Sequence, residues 1–483
     1  MEPTLIFPKE YQDTLRPVYD FALRRRVKLY LVGGTLRDLL IGRRKDNPDF
    51  DLCLKGKALQ FGRLLATSIK AAFVVLDKEH GACRLVKKAG GKIYTFDLTD
   101  FRAKTIEEDL KHRDFTINSL GLELGDVFIK ADLADKLIDP YSGMADLRKK
   151  LIRLTSKQAF IEDALRILRA FSFSSILRFK LDAELIKSAR LNKNKLKGVS
   201  AERVRDELFK VFDTSLAYEA LVAWDKLKII DVILPEIKPM RGIGQGPYHH
   251  LDVWQHTLET VKQLELVFEK LGRKLDIRGY LNQVVAGSHR RLALLKFAAI
   301  LHDVGKPKAL RHEKKKIIFH GHERVGLGLT RLISRRLKLS NEECSSLERI
   351  VLWHLRPGYL ADCRALTQRA RFRYFRDTGT DALGVLLLSL ADQRATKGPL
   401  TTALSRINHE KTVAKLIAEL FKKQAKKSVP FVNGHEIMRK FSLTSSPLIG
   451  KVLSELEELQ AIGKIRNKVQ AFKAAKKVIA KKK

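Results

Sequence analysis

The sequence predicts an α+β architecture, with a mixed-sheet head followed by a long, basic, all-helical remainder. Three observations carry this. Up to Leu98, short apolar runs separated by glycine turns interleave with helix-like segments; beyond residue 158 apolar residues recur at helical spacing; and 483 residues are too many for one hydrophobic core, implying several domains.

Residues 1–28 read as an amphipathic helix on Tyr11, Leu15, Val18, Tyr19, Phe21 and Ala22, leading into an apolar strand, Leu29-Tyr30-Leu31-Val32. The strand breaks at Gly33-Gly34, and a helix-like stretch follows with Arg37 in its first turn. Glycines let the backbone approach phosphate oxygens with no Cβ in the way, and amides at a helix start favour an anion. Two acids then return on an alternating strand, Asp49-Phe50-Asp51. A period of two puts both carboxylates on one face, where they can hold Mg²⁺. Alone, a Gly-Gly turn or an Asp-x-Asp pair is usually structural or solvated; in this order they make a phosphate cradle and a metal site in one short unit.

Residues 58–70 look helical, and residues 72–76, 83–86 and 92–98 read as short strands with turns at Gly81 and Gly90-Gly91. Asp97, on the last of these, is either a third metal carboxylate or a surface acid. From 158 to 238 the pattern is helical, with basic patches such as Lys193, Lys195 and Lys197. The last eighty or so residues are helical and basic, ending in Lys476-Lys477 and Lys481-Lys482-Lys483, a phosphate-seeking or simply solvated tail.

Charge is the strongest global signal: 93 Lys+Arg against 55 Asp+Glu gives +38, a surplus that implies a polyanion, and nucleic acid fits it best. The four cysteines (Cys53, Cys83, Cys344, Cys363) form no Cys-x-x-Cys pair, which argues against a disulfide framework or thiolate zinc site. No apolar run is long enough to cross a bilayer, and Met1-Glu2-Pro3-Thr4 has no signal character. The expected location is the cytoplasm, with no membrane contact; no protein partner is legible.

The run Leu31-Val32-Gly33-Gly34-Thr35-Leu36-Arg37-Asp38-Leu39-Leu40, closed by Asp49-Phe50-Asp51, resembles the first motif of the DNA polymerase beta nucleotidyltransferase superfamily. It is closest to the class II branch of tRNA nucleotidyltransferases and bacterial poly(A) polymerases. Further stretches are similar to that branch in the same order. Glu107-Glu108-Asp109-Leu110 runs into His112-Arg113-Asp114-Phe115-Thr116-Ile117-Asn118, with His112 where the family commonly has arginine. Arg113 offers a donor fork suited to triphosphate or ribose oxygens, while Asp114 and Asn118 can fix sugar and loop. Asp139-Pro140-Tyr141-Ser142-Gly143-Met144-Ala145-Asp146-Leu147 resembles the third motif and reads as a structural turn into a helix.

Glu162-Asp163-Ala164-Leu165-Arg166-Ile167-Leu168-Arg169 resembles the fourth motif, and Ser200 through Leu208 the fifth. On one helix, Asp163 and Arg166 would be surface neighbours, either an ordinary salt bridge or a pair reading the Watson–Crick edge of C or A. The resemblance implies the second: Asp163, Arg166 and Arg169 select and align the nucleotide. It also implies that Gly34, Arg37 and Arg113 handle triphosphate and sugar. Ser172 stands where the family often has a further arginine.

Past Pro247, His256, His302-Asp303, His320, His322, His354 and Asp392 have the look of a metal-dependent HD phosphohydrolase domain. Imidazole and carboxylate ligands suit Mn²⁺, Ni²⁺, Fe²⁺ or Mg²⁺. The resemblance carries over His256, His302, Asp303 and Asp392 as core ligands; spacing leaves open which of His320, His322 and His354 completes the set. Asn433-Gly434-His435-Glu436 and Ser446-Pro447-Leu448-Ile449-Gly450 resemble the family's tail module.

The resemblance therefore implies a head over 1–150, a nucleotide-selecting neck over 151–240, an HD domain over 241–400 and a tRNA-binding tail over 401–483. It implies transfer of nucleotides from CTP and ATP to the 3′ end of tRNA, with Mg²⁺ on Asp49 and Asp51 and pyrophosphate released. In A-adding and CCA-adding relatives a flexible segment usually precedes the Glu-Glu-Asp-Leu run; here Asp97 through Ile106 crosses directly to Glu107, so CC addition is expected. The alternatives are a poly(A) polymerase, an HD phosphohydrolase with a vestigial head, and a basic RNA-binding protein without turnover.

Overall fold

The structure, a computed structural model, describes residues 4–45, 47–287, 289–313, 316–424 and 430–480; the closing Lys481-Lys482-Lys483 lies outside them. Two compact units divide the chain: Met1–Glu207 with Leu227–Val232, and Leu208–Lys226 with Ile233–Lys483.

The first unit carries a sheet of β1 (Leu29–Val32), β2 (Asp49–Leu54), β3 (Ala72–Asp77), β4 (Ala82–Ala89), β5 (Lys92–Asp100) and β6 (Gly121–Glu123), in the order β3-β4-β5-β2-β1-β6. The pairing of β2 with β5 is parallel and the other pairings are antiparallel, so the sheet is mixed. A parallel pair needs a crossover. The helix Ala58–Ile69 and the β3-β4 hairpin supply it. Alternation then does its work along β2: Phe50 is fully buried and stacks on Phe96 of β5, ring centroids 5.6 Å apart, which leaves Asp49 and Asp51 on the opposite face.

Some expected boundaries differ. The N-terminal helix occupies Lys9–Arg24 rather than 1–28; Pro8 stands just before it and Arg26, at φ 56°, turns the chain into β1. The stretch from 158 is not one helix at first. It breaks between Ala159–Glu162 and Arg166–Leu177, because Asp163 is extended and its Oδ1 accepts from Leu165 N at 3.0 Å. A short parallel pair, Leu151–Ile152 with Lys180–Leu181, lies around this break.

The second unit is almost wholly helical, from Val253–Leu271 through Lys468–Ala480. The expected all-helical pattern is interrupted by two small ribbons, Val284–Ala286 with His289–Arg290 and Arg311–Glu313 with Lys316–Ile318. Strands of two or three residues are too short to carry a readable alternation. Near the end, Asn433 and Glu436 form a capping box on Gly434–Phe441, and Pro447 opens the helix Pro447–Ala461. None of the described helices is long and apolar enough to cross a membrane.

Candidate active site

In the first unit, register brings the acids together. Asp51 pairs with Asp97 across β2-β5, and with Val32, just before the glycines, across β1-β2. Asp97 is held by a bidentate Arg84, at 2.7 Å on each oxygen, while Asp49 is exposed with Lys45 3.5 Å away. Burial, then the charges of Asp97 and Asp49, pushes the Asp51 carboxyl up, with Arg113 opposing. Three acids crowded onto one sheet face, of which Asp51 keeps its carboxyl raised despite Arg113, fit a divalent cation.

Gly33 makes the floor of this site. Its φ of +77° is one that side chains rarely adopt, and a Cβ there would lie 2.7 Å from Arg113 Nη1 and 3.2 Å from Asp51 Oδ2. The Nε of Arg113 is buried and has no hydrogen-bond partner among the described residues. An unspent guanidinium nitrogen beside a cradle that only glycine allows suits an anionic oxygen. Gly33→Ala is accordingly expected to raise the KM for nucleotide ~10-fold or more, from backbone strain of about 1–3 kcal/mol and a displaced Arg113; steady-state kinetics checks this.

Arg37 has another place. Its guanidinium is buried, with Nε and Nη2 donating to Asp38 Oδ1 at 2.9 and 2.7 Å and Nη1 to Asn118 Oδ1 at 2.6 Å. Asn118 donates to Asp114 Oδ1 at 2.9 Å, and Asp114 Oδ2 receives Arg169 through Nε at 2.9 Å and Nη2 at 2.7 Å. Arg169 also lies 3.8 Å from Glu207, which takes a short bond from Ser172. Phe173 sits against both guanidiniums, 4.9 Å from that of Arg37 and 5.2 Å from that of Arg169. Burial alone would raise the Asp114 carboxyl; the Arg169 charge overrides it and holds the group below the usual range. Residues expected to touch the nucleotide thus form a continuous polar chain beneath the site.

The side chains of Asp163 and Arg166 are not paired with each other, although Arg166 N donates to the Asp163 carbonyl at 3.1 Å. Asp163 Oδ2 accepts from Arg203 Nη2 at 2.7 Å. Arg166 donates through Nη1 to Glu162 at 3.0 Å and the Ala159 carbonyl at 3.2 Å, and through Nη2 to the His112 carbonyl at 2.6 Å. That same carbonyl accepts Arg102 Nη1 at 3.1 Å. The connector after β5 is pinned elsewhere too: Arg102 N bonds Asp109 at 2.8 Å, Lys104 N bonds Glu108 at 3.1 Å, and Thr105 caps the helix Ile106–Lys111.

In the second unit, separate helices bring the histidines and acids together. His256 comes from Val253–Leu271, His302 ends Arg291–Leu301, His322 begins His322–Arg336, His354 follows Asn341–Trp353, and Asp392 lies in Ala382–Ala395. His256 Nε2 is 2.8 Å from Asp392 Oδ1, and Asp303 Oδ2 is 3.2 Å from His302 Nε2. The Nε2 atoms of His302, His322 and His354 are buried and make no hydrogen bond; His302 is near enough to Asp303 for an ion pair but is not aligned as a bond. Burial, with His302 and His322 nearby, pushes His354 down to about 3, leaving a neutral imidazole, the form that binds metal. Exposed His320 lies outside this group. Buried imidazoles beside carboxylates fit a divalent ion.

Both arrangements lie within segments that resemble known proteins. The Poly A polymerase head domain signature matches residues 29–153, the probable RNA and SrmB-binding site of polymerase A matches 178–241, and the HD domain matches 253–397. The chain is 32% identical to the A-adding tRNA nucleotidyltransferase of Deinococcus radiodurans over 445 residues, 90% of this chain and 92% of that one. The chain belongs to the class II tRNA nucleotidyltransferase family. This tRNA nucleotidyltransferase is also 28% identical to the CC-adding enzyme of Thermus thermophilus, over 94% of each chain. Its fold is that of the Thermotoga maritima CCA-adding enzyme complexed with tRNA, with a TM-score of 0.61 at 19% identity, over 99% of this chain and 97% of that one.

Several neighbours of the transferase site escaped the sequence. Arg84, Arg102, Arg203 and Glu207 reach it from outside the quoted motif cores or from positions given no chemistry. For Arg84 a signal existed: alternation on β4 puts it directly opposite Asp97. In the second unit, Lys306, three residues past Asp303, was given no role, and its Nζ bonds both Asp303 and Gln245 at 2.6 Å.

Proposed function

We propose that the first unit adds two cytidines to the 3′ end of tRNA from CTP and leaves the terminal A to another activity. The observation that carries this is the connector from β5 to Ile106–Lys111. It is short and is tied down at Arg102, Lys104 and Thr105, which supports the absence of a swinging segment that would change the nucleotide preference. The 32% identity to an A-adding enzyme favours a second reading, A addition to tRNA already ending in CC. Sizing the products on tRNA lacking its 3′ end separates them. Two added nucleotides with CTP and ATP both supplied are expected; complete CCA, addition only to CC-ended tRNA, or a long A tail overturns the proposal.

In this reading Asp49 and Asp51 hold Mg²⁺, which when bound would lower the pKa of the 3′ hydroxyl and offset charge on the triphosphate. Gly33 and Gly34 admit the phosphates to the backbone, and Arg113 donates to their oxygens. Asp114, Asn118, Arg37 and Arg169 keep that loop in place. Asp163 and Arg166 read the base after Asp163 exchanges Arg203 for the nucleotide. Residues 1–150 then form the catalytic head, 151–240 the neck, 241–400 the HD domain and 401–483 the tRNA-binding tail, acting on cytoplasmic tRNA.

His256, His302, Asp303 and Asp392 hold a further divalent ion, which would supply an activated water for phosphoester cleavage. The buried Nε2 of His302, which makes no hydrogen bond, and the contact of His256 Nε2 with Asp392 support this second activity.

A further inference from the structure

Two rows of side chains run straight across the head sheet. Register sets Asp51 (β2), Asp97 (β5), Arg84 (β4) and Val74 (β3) in one row, and Asp49, Thr95, Val86 and Ala72 in the next. Alternation sends Cys83, Leu85 and Phe96 to the buried face, so both rows lie on the other. Beyond the carboxylates that face stays accessible: Arg84, Val74 and Ala72 are exposed, and Thr95 and Val86 are half-buried.

Sheet order then decides which substrate lies where. With the triphosphate against Gly33 and Arg113, as proposed above, it occupies the β1 side of Asp51. Nucleotidyl transfer is in line: the attacking 3′ oxygen and the departing pyrophosphate stand on opposite sides of the α-phosphorus. The 3′ end of tRNA therefore arrives over β5 and β4, the side on which Arg84 stands.

Arg84 is built to meet a phosphate there. Its Nε and Nη2 donate to Asp97 Oδ1 and Oδ2, each at 2.7 Å, which fixes the plane of the guanidinium and leaves Nη1 without a hydrogen bond among the described residues. The side chain is 44% exposed. As a surface salt bridge it would contribute little to stability. As a fork already oriented by one carboxylate, it loses little freedom on binding an anion. Asp97 stands one strand spacing, about 4.8 Å, from Asp51, and the first phosphate met on leaving a 3′ hydroxyl is the one 5′ to the same nucleoside. We propose that Arg84 binds tRNA in the transferase site, taking through Nη1 the phosphodiester that precedes the terminal nucleoside of the acceptor end, while Asp97 positions it. Val74 and Val86 beside it give that nucleoside an apolar shelf. The proposal rests on Asp49 and Asp51 being the transferase centre.

Single-turnover incorporation by the full chain, with CTP and ATP supplied, tests this. Arg84→Gln is crossed with a tRNA lacking its 3′ end in which that one phosphodiester is an uncharged methylphosphonate. Either change alone is expected to raise the half-saturating tRNA concentration roughly 10-fold, the loss of one charged hydrogen bond. Both together should cost no more than one, and the half-saturating nucleotide concentration should not move. Losses that multiply overturn the proposal. So does a methylphosphonate that costs the wild type nothing, or one that couples to Arg84 only when placed two phosphates further in. An Arg84→Gln defect seen in nucleotide binding instead would make Arg84 merely the counter-ion of Asp97, and also overturns it. Asp51→Asn is run alongside: incorporation retained there removes the transferase centre itself, whereas Arg84 fails on the coupling alone.

Discussion

Asp51→Asn is expected to lower CTP incorporation into tRNA by roughly 10³–10⁴-fold, about 4–5.5 kcal/mol of transition-state stabilisation, while leaving the phosphoester hydrolysis proposed for the second unit unchanged. Asp51 is the acid enclosed between the others: β5 sets Asp97 opposite it, and Gly33 and Arg113 meet above it. Stability is expected to move the other way. A carboxyl whose folded pKa lies above its ordinary 3.8 binds its proton more tightly in the folded state. Ionising it therefore costs stability as pH rises from 3.8 through the folded value. Asparagine removes that cost, so the variant should melt no lower than the parent at neutral pH. Single-turnover incorporation and thermal melts of the two proteins check both halves; a variant that loses activity together with stability would mean that Asp51 is structural.

Arg169→Ala is expected to give the largest loss of stability, roughly 2–3 kcal/mol. That is below the 3–5 kcal/mol typical of a broken buried pair because the Arg169 side chain is one-third exposed. The cause is what remains behind. Asp114 is nine-tenths buried and would keep only Asn118 and the Phe115 amide. Arg169→Lys is expected to rescue little, because an ammonium cannot replace a two-nitrogen grip on one carboxylate oxygen. Hydrogen exchange at residues 114–119 and denaturant unfolding measure this. Incorporation should fall as well, since Asn118 and Arg37 hang on the same chain of bonds. The wild-type contribution should be present above pH 3.8 and vanish as pH falls below it, through the lowered folded pKa of Asp114.

Much of this site could be read before the fold was in view, for identifiable reasons. Asp49 and Asp51 were legible because a pleat alternates, and Gly33 because a strand that stops at two glycines leaves its backbone open. The HD doublet was legible because a polar pair ending an apolar helix has few bland explanations. Arg37 was harder. Its neighbours Asp38 and Asn118 are 1 and 81 residues away, and nothing local says that the guanidinium turns inward. The break at Asp163 was hidden because an acid that turns extended between two helices leaves the apolar spacing on both sides intact. His322 and His354 were obscured by His320, which only the fold sets apart.

The oxygen on which Arg102 and Arg166 converge belongs to the main chain of residue 112, and main chain is not altered by substitution. The identity of the side chain there can therefore change without dismantling the junction between the connector and Arg166. Evolutionary or laboratory change in nucleotide choice has to enter through the donors, and Arg102, on the connector itself, is where a library aimed at altered specificity should begin.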